Sequence, residues 1–169
     1  MKFSQKLFFD FPPEVVQKYM ADEKALNYLK DKHPDLKDVQ LLVDKTDGDT
    51  RTIELKYFTE ANLPGPLKKV LGGATTQGMT MKFVINTKNH SGTMEAIPDQ
   101  MPDKIKVTGR VSLAKEGDKW AQKVDGEATV KIFGIGKMAE KFLVEKIQDS
   151  SQHETRIRNE FIHSLGDKA

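Results

Sequence analysis

The sequence predicts an α+β protein: a seven-stranded curved antiparallel sheet, two short helices after strand 1, and a long C-terminal helix packed across the sheet. Two observations predict it. Between residues 39 and 132, short segments alternate apolar and polar side chains and are broken by turn residues, the period of half-buried strands joined as hairpins. Residues 134–165 then switch to helical spacing in one run. At 1.5 Å per residue that helix is roughly 45 Å long. A strand of ten residues covers only about 33 Å, so the helix can lie across the whole sheet.

Residues 3–11 put Phe3, Leu7, Phe9 and Phe11 on one face and Ser4, Lys6 and Asp10 on the other, interrupted by Gln5 and Phe8, as in an edge or half-buried strand. Pro12-Pro13 stops it. Proline suits a first helical turn, and Val15, Val16, Tyr19 and Met20 recur at helical spacing, so a short helix is expected from Pro13 to Met20. Asp22 caps a second helix carrying Ala25, Leu26 and Leu29, which ends before Pro34 because the residue preceding a proline avoids the α region. Val39, Leu41 and Val43 pair through a turn at residues 46–49 with Ile53, Leu55 and Tyr57. Met79, Met81, Phe83 and Ile85 alternate along the next strand, which turns at residues 89–92 and pairs back through residues 93–97. Ile105, Val107, Val111 and Leu113 turn at residues 115–118 into Trp120, Val124, Ala128, Val130 and Ile132. Connections this short make neighbouring strands antiparallel.

One irregular insert, Glu60 to Gln77, interrupts the strands. It holds Leu63-Pro64-Gly65-Pro66, the stretch Leu67-Lys68-Lys69-Val70-Leu71, and Gly72-Gly73. It is longer than a hairpin needs, and two readings stand side by side: a short surface helix over a sheet end, or a ligand gate hinged at the glycines.

The 169 residues suit one domain, 1–169, with a core that needs no covalent staples. With 37% hydrophobic and 31% charged residues the composition is globular, and no apolar run is long enough to span a bilayer. A net charge of +2 gives no dominating field, so nucleic acid is not an expected partner. Zero cysteines exclude thiol catalysis, thiolate metal sites and disulfides together. Residues 1–11 lack the apolar core of a signal peptide and read as a first strand, so a cytoplasmic protein is expected.

Three segments carry a family resemblance. Phe9-Asp10-Phe11-Pro12-Pro13-Glu14-Val15-Val16 is similar to the entry from first strand into first helix of the START-like superfamily, also called SRPBCC or Bet v 1-like, with its helix-grip fold. The insert from Leu63 to Gly73 resembles the mid-chain connection of a bacterial branch, the DUF2505 domain family. The stretch from Gly126 to Lys141 resembles that branch's passage from last strand into final helix. These motifs are structural rather than catalytic. The resemblance implies an apolar cavity between sheet and final helix, holding lipids, sterols, polyketides or hormone-like molecules in various members, with enzymes a minority.

The final helix puts Ile135, Met138, Ala139, Phe142, Leu143 and Ile147 on one face, continues it through Ser150, Ser151 and Glu154, then restores it with Ile157, Phe161, Ile162 and Leu165. This polar gap faces either the cavity, where it would orient a ligand, or water beyond the sheet. Met79, Met81 and Met138 supply either soft ligand walls or ordinary core. Trp120 and Tyr57 either aim a polar tip into the pocket or anchor the core. The candidate ligand-binding set is therefore Tyr57, Leu67, Val70, Leu71, Met79, Met81, Phe83, Val107, Trp120, Gln122, Met138, Phe142, Ile147 and Ser151.

No metal or cofactor is expected. His33, His90, His153 and His163 lack ligand spacing, and Gly72-Gly73 lacks the rest of a nucleotide fingerprint. Asp10, Glu14 and Glu95 read as solvated acids, and the pairs Lys141/Glu145, Glu154/Arg158 and Arg156/Glu160 as a solvated helix face. Lys68 and Lys69 support at most a transient membrane contact. A non-catalytic protein binding a small hydrophobic molecule such as a lipid is the leading reading. A polyketide-cyclase-like enzyme using Gln122, Tyr57 and Glu154, and an interaction module using the insert, are the alternatives.

Overall fold

The computed structural model describes residues 1–60, 62–73 and 75–169; positions 61 and 74 of the insert lie outside them. Seven strands form one antiparallel curved sheet: β1 (Lys2–Phe9), β2 (Leu36–Asp47), β3 (Thr50–Glu60), β4 (Thr76–Asn86), β5 (Ser91–Pro98), β6 (Ile105–Glu116) and β7 (Lys119–Val130). Their order is β1-β7-β6-β5-β4-β3-β2, so the first two strands of the chain form opposite edges. Helices α1 (Pro13–Lys18) and α2 (Glu23–Lys32) connect those edges, α3 (Gly65–Val70) lies in the insert, and α4 (Gly136–Ser164) crosses the sheet.

Local chemistry explains most boundaries. Pro12 and Pro13 open α1, and the Asp22 carboxylate accepts from the Ala25 N–H at 3.0 Å, capping α2. β1 stops at Phe9, two residues short of the expected end. Asp10 turns outward to pair with Lys119 and His163, and the Phe11 ring packs on the His163 ring at 4.7 Å. Gln5 keeps phase with Phe3 and Leu7 and shares their inward face, while Phe8 is exposed.

β2 departs from the expected alternation. Its pairing with β3 shifts register between Leu36 and Asp38 and again between Leu41 and Val43, where Leu42 is an extra residue; Leu41, expected inward, is exposed, as is Leu42. Such a bulge also blunts an edge strand against pairing with other chains.

The core falls into several clusters under α4. Its first half packs with Phe3, Val107 and Val124 on the sheet; its second half packs Ile157, Phe161 and Ile162 against α2 and Tyr19. Gly126 makes room for the edge: a Cβ there would stand 2.5 Å from the Phe3 ring.

Candidate functional site

Between the inner face of the sheet and α4 lies a cavity of about 290 Å³. The helix contributes Ala139, Phe142, Leu143, Lys146, Ile147, Ser150, Ser151, Glu154, Thr155 and Arg158, one face at steps of three and four. The polar gap of the sequence therefore faces the cavity, not open water beyond the sheet. Strands present alternate residues for the same geometric reason: Gln5, Leu7 and Phe9 from β1, Met79, Met81, Phe83 and Ile85 from β4, Gln122 and Val124 from β7. The insert closes one end with Leu63, Leu67 and Leu71; Leu67 is buried against Ile105, Val130 and Ala139.

Of the residues singled out from sequence, the cavity brings together Tyr57, Leu67, Leu71, Met79, Met81, Phe83, Gln122, Phe142, Ile147 and Ser151. Four stand elsewhere. Val70 stands off the cavity and is exposed: the lining residues of this segment, Leu67 and Leu71, are four apart, and Val70 lies to the side of that line. Val107 is fully buried beneath the core made with Ala96 and Ala128 and does not reach the cavity. Trp120, opposite Phe9 at the start of β7, is partly exposed and does not line it. Met138 lies one position off the inward stripe led by Ala139.

The polar wall is organised, not scattered. The Tyr57 hydroxyl donates to Glu154 Oε1 at 3.1 Å, and Arg158 reaches the same oxygen through Nε at 3.0 Å and Nη2 at 2.9 Å. Arg158 Nη1 also donates to the Tyr19 and Met20 carbonyls at 3.3 and 3.4 Å, tying α4 to the end of α1. Burial pushes the Tyr57 phenol well above its ordinary value, and the Glu154 charge adds to it, against the opposing pull of Arg158. Burial works against the Arg158 charge, but Glu154 and Tyr57 outweigh it and hold the guanidinium charged.

Beside this trio, His33 Nε2 lies 3.0 Å from Ser150 Oγ, while His33 Nδ1 accepts the Asp35 N–H at 3.2 Å. A ring nitrogen that accepts carries no proton, so in the neutral ring Nε2 is the donor to Ser150. Ser151, which lines the cavity, donates back to the Ile147 carbonyl at 2.6 Å. Gln5 Nε2 donates to the Gln148 carbonyl at 2.7 Å, and at the far end Gln17 meets His90 Nδ1 at 3.3 Å. Gln100 Oε1 is buried and has no partner among the described residues.

Arg158, His33 and Gln5 are cavity residues that sequence reasoning missed. Arg158, read as part of a solvated salt-bridge face, is only 8% exposed, and His33, read as a turn residue, only 6%. The signal for Arg158 was present: it continues the 147, 150/151, 154 series. Gln5 was equally visible as the polar member of the Phe3/Leu7/Phe9 phase. His33 had no such signal, because its burial depends on how α2 lies against α4.

A curved antiparallel sheet, two short helices after its first strand and a gripped C-terminal helix over a cavity define the helix-grip fold of the START-like superfamily. Solved structures agree. A START superfamily protein from Mycobacterium smegmatis is 17% identical over 97% of this chain and 98% of its own, with a TM-score of 0.57. A STAR-related lipid transfer protein fragment from Xanthomonas axonopodis is 17% identical over 93% and 85%, with a TM-score of 0.56. The di-domain ARO/CYC protein StfQ of the steffimycin biosynthetic pathway is 13% identical over 96% of this chain and 50% of its own, with a TM-score of 0.62. No curated protein matches by sequence. Within this class the chain matches the family described as "Protein of unknown function (DUF2505)" over residues 5–162, and it belongs to that family. No helix among the described residues is long and apolar enough to cross a membrane.

Proposed function

We propose that residues 1–169 act as one cytoplasmic ligand-binding domain that holds a small, mainly hydrophobic molecule such as a lipid between the sheet and α4. One observation carries this reading: a cavity with apolar walls meets a short row of polar groups on one helix face, the usual construction of a small-molecule site. The Met79 and Met81 side chains add walls that adapt to irregular shapes. The ligand's apolar part lies by Leu67 and Phe142, and a polar end meets Ser151 and the Tyr57–Glu154–Arg158 trio. Native mass spectrometry with lipid extraction tests this. A co-purifying apolar molecule is expected, and Ser151→Leu, which fills the cavity, should weaken its retention roughly tenfold, the equivalent of about 1.4 kcal/mol. No uptake of any apolar probe, or unchanged retention by the variant, would overturn the assignment.

A cyclase-like enzyme is the second reading, supported by the convergence of Tyr57 and Glu154 in the cavity wall and by the likeness to StfQ. Two facts weigh against it. The Tyr57 phenol, held protonated by burial, is a poor base near neutral pH, and Glu154 is already engaged by both neighbours.

A further inference from the structure

Phe133 stands fully exposed in the turn between β7 and α4, ahead of Gly134, whose φ of +80° lets the chain fold back into the helix. An aromatic side chain wholly in water beside a buried cluster is uncommon, and its surroundings suggest what it meets. Ile132 and Ile135 on either side pack inward with Leu67 of α3, so the turn and α3 form one end of the molecule. Val70 is exposed on the outside of α3. Five exposed lysines belong to the same end: Lys68 and Lys69 on α3, Lys131 and Lys137 flanking Phe133, and Lys104, whose carbonyl accepts the Lys131 N–H at 2.8 Å. Among the described residues none of the five comes within ion-pair distance of a carboxylate; Asp103 is an acidic side chain at this end, and Glu140, held by the Met1 amino group and the Val130 N–H, feels the Lys137 charge from one helix turn away.

We propose that this end docks on an anionic lipid bilayer, with Phe133 inserted at the headgroup boundary, Val70 beside it and the lysines over the anionic headgroups. Net charge elsewhere is close to balanced, so the concentration of unpaired cations around one exposed aromatic gives the surface its polarity. The placement goes beyond cargo binding: the outside of α3 meets the bilayer while Leu67 on its inside lines the cavity.

Co-sedimentation of the full chain with phosphatidylcholine vesicles, with and without phosphatidylglycerol, tests the docking. The wild type should bind the anionic vesicles preferentially and lose that binding at high salt. Phe133→Ala should weaken it about tenfold, through lost apolar burial. Lys131→Glu with Lys137→Glu should weaken it more than tenfold, each lysine being worth roughly fivefold. Thermal unfolding of Phe133→Ala should match the wild type, because that side chain is fully exposed. Equal binding to neutral and anionic vesicles, or full binding by Phe133→Ala, would overturn the proposal. So would a Phe133-dependent dimer in sedimentation equilibrium without vesicle binding, which would assign the patch to a second copy. Docking needs no cargo, so its failure leaves the cavity reading standing.

Discussion

Tyr57, Glu154 and Arg158 come from β3 and α4 and share one oxygen, Glu154 Oε1, while Arg158 also holds the Tyr19 and Met20 carbonyls. Removing a single member strands a polar group in a low-dielectric wall, which costs more than the net strength of the bond it made. The raised phenol also ties stability to pH. A group whose folded pKa lies above its unfolded value, here ordinarily 10.0, stabilises fully below that value and loses its contribution as pH rises past it. Denaturant unfolding of the wild type should therefore weaken above pH 10 by up to about 1.4 kcal/mol per pH unit from this residue. In Tyr57→Phe that part of the slope should vanish; identical slopes would mean the phenol ionises freely in the fold.

At the scale of elements, α4 serves two masters: its apolar ends bind sheet and α2, and its middle is left to the cavity. That division is written at steps of three and four along one stripe, so it is legible in sequence once Arg158 is counted as a continuation of it. The insert divides similarly, Leu67 inward and Val70 outward. Leu67→Ala should destabilise the protein by about 2 kcal/mol and speed release of a fluorescent fatty-acid analogue measured by stopped flow. Val70→Ala should change stability by less than about 0.5 kcal/mol. Equal effects of the two would show that α3 is not seated through Leu67. β2 could not be read in the same way: its register against β3 shifts twice, at Lys37 and at Leu42, and no residue type in the strand announces either shift.

For the whole molecule, a ligand held only by the folded state raises stability by mass action, about 2.7 kcal/mol at a hundredfold excess over its dissociation constant. For a chain of this length each kcal/mol moves the melting temperature by about 2–4 °C, so extraction of cargo should lower it by about 5–10 °C, and adding the extract back should restore it. No difference between extracted and untreated protein would argue for a cavity that holds nothing tightly. Salt should leave this shift intact, since the cavity wall is mainly apolar, in contrast to vesicle docking.

Sequence alone determined the architecture, because period, turn chemistry and helix length are local properties that each segment carries within itself. It determined equally that α4 bears a polar gap, and that β4 lines one face with methionine and phenylalanine. Tertiary structure alone decided that the gap looks into the cavity, that Glu154 and Arg158 join Tyr57 rather than water, that His33 is buried on Ser150, and that Val107, Trp120, Met138 and Val70 stand off the site. The physical reason is the same in each case. Which way a residue faces along its own element follows from local periodicity, but what lies opposite it depends on the crossing of a helix over a curved sheet, brought about by residues more than a hundred positions apart in some pairs and settled only when the chain closes on itself.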